Sequence, residues 1–294
     1  MVGRIMYNYD GKYTVMVSAG YNGAENFPAG KRFGLFPAIS ASWDLAKEAF
    51  LADHLPFVDQ LKLRGAYGVT GSSALPGARF SYLSQWNSNS GGYQFGVNRD
   101  GASYSGAYEV RIPNTNLTWE KGYKTDVGLD AGLWKGGLNL TVEYFRERRQ
   151  DILITSELVP AAIGLFNAPA LNAAIVNKSG IDLSVEHRKE FKKQGYSIRV
   201  NYSFVKNKVI DYRQPEYKGR EWQRRTGTEV GSIYGYTAIG LFRDEDDIAK
   251  SPSQSVFGMT KPGDIKYKDL NGDGLINSLD AGFCLEKGTS QHPS

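Results

Sequence analysis

The chain has 294 residues, 41% of them hydrophobic and 13% aromatic, with 34 glycines and a formal net charge of +4. This is ample for a folded domain and excludes a disordered profile, while modest charge of mixed sign excludes a nucleic-acid footprint. No run of eighteen apolar residues is present, which excludes a membrane-crossing helix but leaves a membrane-crossing β-barrel open.

In chain order, Val2–Tyr9 and Tyr13–Tyr21 read as strands joined through Asp10-Gly11-Lys12, a hairpin signal. A polar, Gly-rich loop over Asn22–Phe33 precedes a strand at Leu35–Trp43. Asp44–Ala52 is the one credible helix, with Asp44 placed to cap it and Leu45, Ala49 and Ala52 on one face. Leu61–Thr70 returns as a strand, and Gly71–Thr118 reads as one long loop rich in Ser, Asn, Gly and Tyr. Trp119–Leu133 and Leu138–Ile154 form a second hairpin through Lys135-Gly136-Gly137. After a loop over Thr155–Ala173, Ala174–Arg188 and Tyr196–Val205 form a third. A charged loop covers Asn207–Val230, Ser232–Phe242 is a further strand, and the rest reads as irregular. About nine strands result, with short and long connections alternating as a barrel requires.

Each strand has an apolar and a wet face. Tyr13, Val15, Val17, Ala19 and Tyr21 oppose Thr14, Met16, Ser18 and Gly20, and Leu61, Leu63, Tyr67 and Val69 oppose Lys62, Arg64, Ala66 and Gly68. Leu138, Leu140, Val142 and Tyr144 likewise oppose Asn139, Thr141 and Glu143. A soluble sandwich shows the same period. Two details favour lipid: the wet face carries isolated charges and glycines, and the apolar rows begin or end in Tyr or Trp, as at Tyr13, Tyr21, Trp43, Tyr123, Trp134 and Tyr196.

A set of stretches carries a family resemblance: Gly3-Arg4-Ile5-x-Tyr7-x-Tyr9, Phe33 to Trp43, Leu61 to Gly71, Asn114-x-Asn116-Leu117-Thr118-Trp119-Glu120, Val127-Gly128-Leu129-Asp130, Gly231 to Tyr236, and Gly263 to Gly274. Together, and in this order, they resemble the C-terminal barrel half of the SusC/RagA family of TonB-dependent outer-membrane transporters. The resemblance implies an all-β antiparallel transmembrane barrel of roughly 22 strands around a plug. This chain would supply part of it over residues 1–280, with short periplasmic turns and long extracellular loops. It further implies a SusD-like surface lipoprotein as partner, energy from the TonB–ExbB–ExbD complex, contact with outer-membrane lipid, and an oligosaccharide or peptide cargo. Residues 281–294 depart from the family pattern and read as a divergent tail. Met1–Tyr9 reads as a strand rather than a leader, so the chain is expected to be an internal piece of a longer protein.

The candidate site is a cation loop. Asp269-x-Asn271-x-Asp273-Gly274 matches the first six positions of a calcium loop. Asp269, Asn271 and Asp273 would offer side-chain oxygens, Leu275 its carbonyl, Asn277 a direct or water-bridged oxygen, and Asp280 the final ligand in place of the usual bidentate Glu. The bland reading is an Asx-rich turn without metal. Tyr82, Trp86, Tyr93, Tyr104 and Tyr108 could stack on sugar rings, against ordinary loop packing as the alternative. The acidic run Asp244–Asp247 reads as solvated. A lone cysteine, Cys284, excludes a disulfide framework. His54, His187 and His292 are scattered without a nucleophile motif, so no enzyme is expected. The competing reading is a non-transport β-rich surface or glycan-binding module with a calcium loop. Such a module buries its apolar faces between two sheets, whereas a barrel wall turns them outward.

Overall fold

The computed structural model describes residues 1–74, 79–96, 101, 103–155, 170–192 and 194–283. They form two compact units, Met1–Asn207 and Lys208–Ser294.

The first unit is built on one antiparallel sheet. Its strands are β1 (Val2–Tyr9), β2 (Tyr13–Gly23), β3 (Phe33–Asp44), β4 (Val58–Ser72), β7 (Glu120–Leu133), β8 (Leu138–Thr155), β9 (Ala170–Phe191) and β10 (Gln194–Asp211), hydrogen-bonded in that order. The remaining strands of this unit, β5 (Gln85–Gln94) and β6 (Ser103–Arg111), make a separate hairpin inside the long β4–β7 connection. Bulges at Gln85/Trp86, Asn87/Ser90 and Ser90/Tyr93 break its period of two, which is why Gly71–Thr118 reads as plain loop in sequence. The β1–β2 turn holds Asp10 and Gly11 at φ of 53° and 63°, the left-handed pair that a two-stranded twist demands. The Asp44–Ala52 helix is realised as a 3-10 turn, Leu45–Lys47, followed by one α turn, α1 (Ala49–Ala52). Asp44 does not cap it; instead its backbone N–H donates to Lys12 O at 2.8 Å, extending the sheet.

Register runs one apolar row unbroken from β1 to β9: Tyr9, Tyr13, Trp43, Leu63, Leu129, Val142 and Leu183 are successive partners. The burial of the two faces is inverted relative to a water-soluble protein. Val17, Ile39 and Tyr67 are 49%, 50% and 49% exposed, while Thr14, Ser18, Ser40, Ser42, Arg64 and Asp126 are half-buried. The sheet thus wraps about its polar face and presents its apolar one. A sandwich would hide those residues against a second layer; the outward apolar face is what lipid requires. From Tyr13 to Tyr21 the outward row of β2 spans nine residues, about 27 Å along the strand. With a tilt of about 40° that is roughly 20 Å of membrane, close to the apolar band of an outer-membrane barrel. Eight strands leave one free edge on β1 and one on β10, so this sheet is a segment of barrel wall rather than a closed one.

The second unit is looser in regular structure. Ser232–Phe242, expected as one strand, is two short ones interrupted at Tyr236 and Thr237, and Gly240, at φ of 149°, marks a bulge inside the second. β11 (Tyr234–Gly235) pairs with β14 (Gly282–Phe283), and β12 (Ala238–Leu241) pairs with β13 (Ile265–Tyr267). The acidic run is a helical turn, α2 (Glu245–Ala249), capped by Asp244, whose carboxylate accepts the Asp247 N–H at 2.7 Å. Val209, Phe242, Ile276 and Ala281 are buried.

Candidate functional site

The polar face of β4, β7 and β8 carries a charge cluster whose geometry follows from register. Arg64, Gly128 and Glu143 are directly opposed on the three strands. Gly128 has no side chain between its neighbours, and a Cβ there would sit 2.7 Å from Arg64 Cζ. The guanidinium therefore lies across β7, donating to Asp130 Oδ2 at 3.1 Å and Glu143 Oε2 at 2.5 Å. Thr141 Oγ1 donates to the other Asp130 oxygen at 3.0 Å. Lys62, Asp126, Thr14, Ser40 and Ser42 join Arg64 around a concavity of about 240 Å³. The arrangement offers hydrogen-bond donors and acceptors to a polar solute. It contains no nucleophile–base pair on which to base catalysis. Sequence singled out none of these residues as a cluster, because the contact depends on the pairing of three strands.

At the long-connection end a small apolar cluster packs against the wall. Phe27, Leu117, Trp119 and Leu153 are buried together, with Phe36 and Tyr82 packed against them. The Trp119 ring lies 5.2 Å from both Phe27 and Phe36. Phe36 points inward from β3 and rests over Gly34 and Gly71, where any Cβ would collide with its ring. The motif Asn114 to Glu120 locks this end. Asn114 Nδ2 donates to Ala170 O at 2.7 Å, and its Oδ1 accepts the Asn116 N–H at 2.9 Å. Asn172 Oδ1 accepts the Thr118 N–H at 3.0 Å, while its Nδ2 donates to Thr118 O and Asp151 O at 2.8 Å each. Glu120 pairs with Arg149.

At the opposite, short-turn end Glu48 gathers three donors: Tyr13 Oη at 2.6 Å, Trp43 Nε1 at 3.1 Å and Lys12 Nζ at 3.4 Å. The Tyr13 hydroxyl, then the Trp43 indole N–H, hold its carboxyl below the ordinary glutamate value of 4.5.

The sequence-nominated aromatics divide. Tyr82 and Tyr108 are half-buried, as packing predicts, whereas Trp86, Tyr93 and Tyr104 are exposed.

The loop Asp269–Asp280 lies in the second unit. Asp269 accepts the N–H of Gly272 at 2.6 Å and of Gly274 at 2.8 Å; those donors, Gly274 first, lower its carboxyl pKa. Asn271 Oδ1 accepts the Asp273 N–H at 3.0 Å, Asp273 Oδ1 the Leu275 N–H at 2.8 Å, and Asn277 Oδ1 the Leu279 N–H at 2.8 Å. Asp280 is wholly buried, with Oδ1 accepting from Leu270 at 2.9 Å and Asn271 at 3.4 Å and Oδ2 from Asn277 at 3.0 Å. Gly272 and Gly274 take positive φ, 75° and 81°, which lets the chain turn this tightly. Among the described residues no group of three or more His, Cys, Asp or Glu side chains forms a metal-holding cluster. Cys284 and His292 lie outside the described residues.

The model of the family "TonB dependent receptor-like, beta-barrel" matches residues 3–272. TonB-dependent receptor P3 of Formosa agariphila is 27% identical over 290 residues, covering 95% of this chain and 28% of its own length. TonB-dependent receptor SusC of Bacteroides thetaiotaomicron is 26% identical over 291 residues, covering 95% of this chain and 27% of its own. Among solved structures, the RagAB peptide transporter matches 97% of this chain and 30% of its own chain with a TM-score of 0.71 at 16% identity, a likeness of fold. The chain therefore spans a little over a quarter of the length of the curated relatives it matches.

Proposed function

The chain belongs to the TonB-dependent receptor-like β-barrel family, and from that premise we propose that it is a wall segment of a SusC-like outer-membrane importer of oligosaccharides or peptides. The observation that carries the reading is the inverted burial of the sheet, with apolar Val17, Ile39 and Tyr67 turned out and the Arg64–Asp130–Glu143 cluster turned in. A hydrated interior lined with paired charges suits passage of a polar solute, since its groups exchange water for protein hydrogen bonds at little net cost. The partners in this reading are a SusD-like lipoprotein at the long-connection side and the TonB–ExbB–ExbD complex. The latter acts through protein outside residues 1–294. Deleting the gene in its source organism and supplying neutral oligosaccharides or tryptic peptides as sole carbon source tests it. Loss of growth on one class, restored by the intact gene, is expected; unchanged growth and uptake on every substrate contradicts it.

A narrower reading concerns the second unit. The spacing Asp269-x-Asn271-x-Asp273-Gly274, with Asn271 hydrogen-bonded to Asp273 at 2.9 Å, supports weak Ca2+ binding there, to which the Leu275 carbonyl, Asn277 and Asp280 would add the remaining oxygens. Calcium titration of the purified protein, followed calorimetrically, tests it: saturable heat lost in Asp273→Asn is expected, and no heat at millimolar Ca2+ contradicts it.

A further inference from the structure

Two strands end their outward apolar rows in cations. On β8 the row runs Leu138, Leu140, Val142 and Tyr144, then Arg146 and Arg148. On β10 it runs Ile198, Val200, Tyr202 and Phe204, then Lys206. The alternate positions of β8 face inward, and their charges are paired: Glu147 meets Lys124 at 3.9 Å, and Arg149 pairs with Glu120. Arg146, Arg148 and Lys206 are exposed, and among the described residues none of the three has a carboxylate partner. Lys206 Nζ stands 5.5 Å from the centre of the Phe204 ring, on the same row.

Register sets the three level. Glu143 is the partner of Asp182, whose carboxylate accepts from Ser203 Oγ, so β8, β9 and β10 are aligned at these residues. Three residues further toward the long-connection end stand Arg146, Ser179 and Lys206. Ser179 and Asn177 are the partners of Arg146 and Arg148, so the strand between the cations is neutral there. Arg146 and Arg148 lie about 7 Å apart along β8, and Lys206 lies about 10 Å away, two strand spacings across. From Leu138 to Arg146 is about 27 Å of strand, or roughly 20 Å along the membrane normal at a tilt of about 40°. The cations therefore stand where the apolar band gives way to lipid headgroups, beside tyrosines that favour the same layer. β8 continues to Thr155, so Arg148 is about 23 Å of strand short of the next connection. Three unpaired cations this close repel one another. A phosphate between them replaces that repulsion with charge-assisted hydrogen bonds, which a guanidinium makes two at a time. We propose that Arg146, Arg148 and Lys206 clasp the phosphate of an outer-leaflet lipid whose acyl chains lie along the apolar rows below. The inference rests on the importer reading for the orientation of the wall in the membrane.

The test uses the whole protein in dodecyl maltoside micelles, with diphosphoryl lipid A and phosphatidylcholine as probes and inorganic phosphate as the free-anion arm. Native mass spectrometry counts bound lipid, and uptake of labelled oligosaccharides and peptides by cells measures transport. The parent is expected to hold diphosphoryl lipid A in preference to phosphatidylcholine. Arg146→Gln with Arg148→Gln should weaken that binding about tenfold. Lys189→Gln with Lys192→Gln removes the same charge near the short-turn end and should leave it unchanged. Matching thermal melts of the variants show that the fold is intact. The inference is overturned if the arginine pair binds lipid A as the parent does, if both pairs lose affinity equally, or if the parent shows no preference for lipid A. Displacement of the lipid by an equal concentration of inorganic phosphate, or a parent dimer that the arginine pair breaks, would overturn it too. Uptake by the parent, with lipid A binding unchanged in the arginine pair, would remove the lipid site and leave the importer. Arginine-dependent lipid A binding without uptake of any substrate would do the reverse.

Discussion

Gly71 has no side chain because Phe36 already occupies the space. A Cβ at this position would fall inside the Phe36 ring, and that ring packs edge-on against Trp119 at 5.2 Å. Gly71→Ala is expected to lower stability by about 1–3 kcal/mol, the usual cost of overpacking. Urea unfolding of the reconstituted protein measures it. Adding Phe36→Leu should recover part of the loss; equal destabilisation with and without that second change would show that Phe36 is not the obstacle. Asp280 is the corresponding residue of the second unit, since its two oxygens satisfy three backbone N–H groups in a fully buried place. Asp280→Ala leaves those donors without an acceptor, at about 1–3 kcal/mol for each one that stays unpaired. Faster amide exchange at Leu270, Asn271 and Asn277 is the expected signature, and unchanged exchange there would contradict the assignment. The loop's composition was legible in sequence. The part played by Asp280 was not, because ligand spacing is silent on which oxygens point into the protein.

The short connection between β3 and β4 is held at Glu48, and this scale has a pH dependence. The Tyr13, Trp43 and Lys12 donors lower its carboxyl pKa in the fold, so the unfolded chain binds the proton more readily. The contribution is therefore complete above the ordinary glutamate value, and it is lost as pH falls through the lowered folded value. Thermal melts of parent and Glu48→Gln should differ at neutral pH and draw together as pH falls below the ordinary glutamate value of 4.5; a difference that stays constant as the solution is acidified would show that the charge is not what holds the turn. Sequence placed this connection at Asp44–Ala52 but assigned the anchoring to Asp44. The cap preference of Asp is local, while the Tyr13 hydroxyl and Trp43 indole reach Glu48 through strand pairing. Elements whose signals are local were legible, as the left-handed Asp10-Gly11 pair shows. Elements that break their own period were hidden. Bulges masked β5 and β6, pairing to two different partners divided a single expected strand into β11 and β12, and the acidic run concealed α2, although Asp244 stands three residues before the N–H it caps.

At the scale of the whole sheet, alternation along each strand was readable because lipid and lumen impose opposite chemistry on odd and even positions. The Arg64–Gly128–Glu143 row was not, because it appears only once β4, β7 and β8 are in register. An arginine on the outward face should therefore cost far more than one on the inward face. Val17→Arg is expected to lose about 2–4 kcal/mol near the bilayer midplane, and the neighbouring Ser18→Arg much less, as read by urea unfolding from lipid vesicles. The most direct test of the account labels single cysteines along β2 and β3 of the whole, otherwise cysteine-free protein with an environment-sensitive fluorophore in vesicles containing brominated lipid. Quenching by the bromine is predicted at positions 15, 17, 39 and 41 and not at 14, 16, 40 and 42. Equal quenching on both faces, or none on either, would contradict a barrel wall.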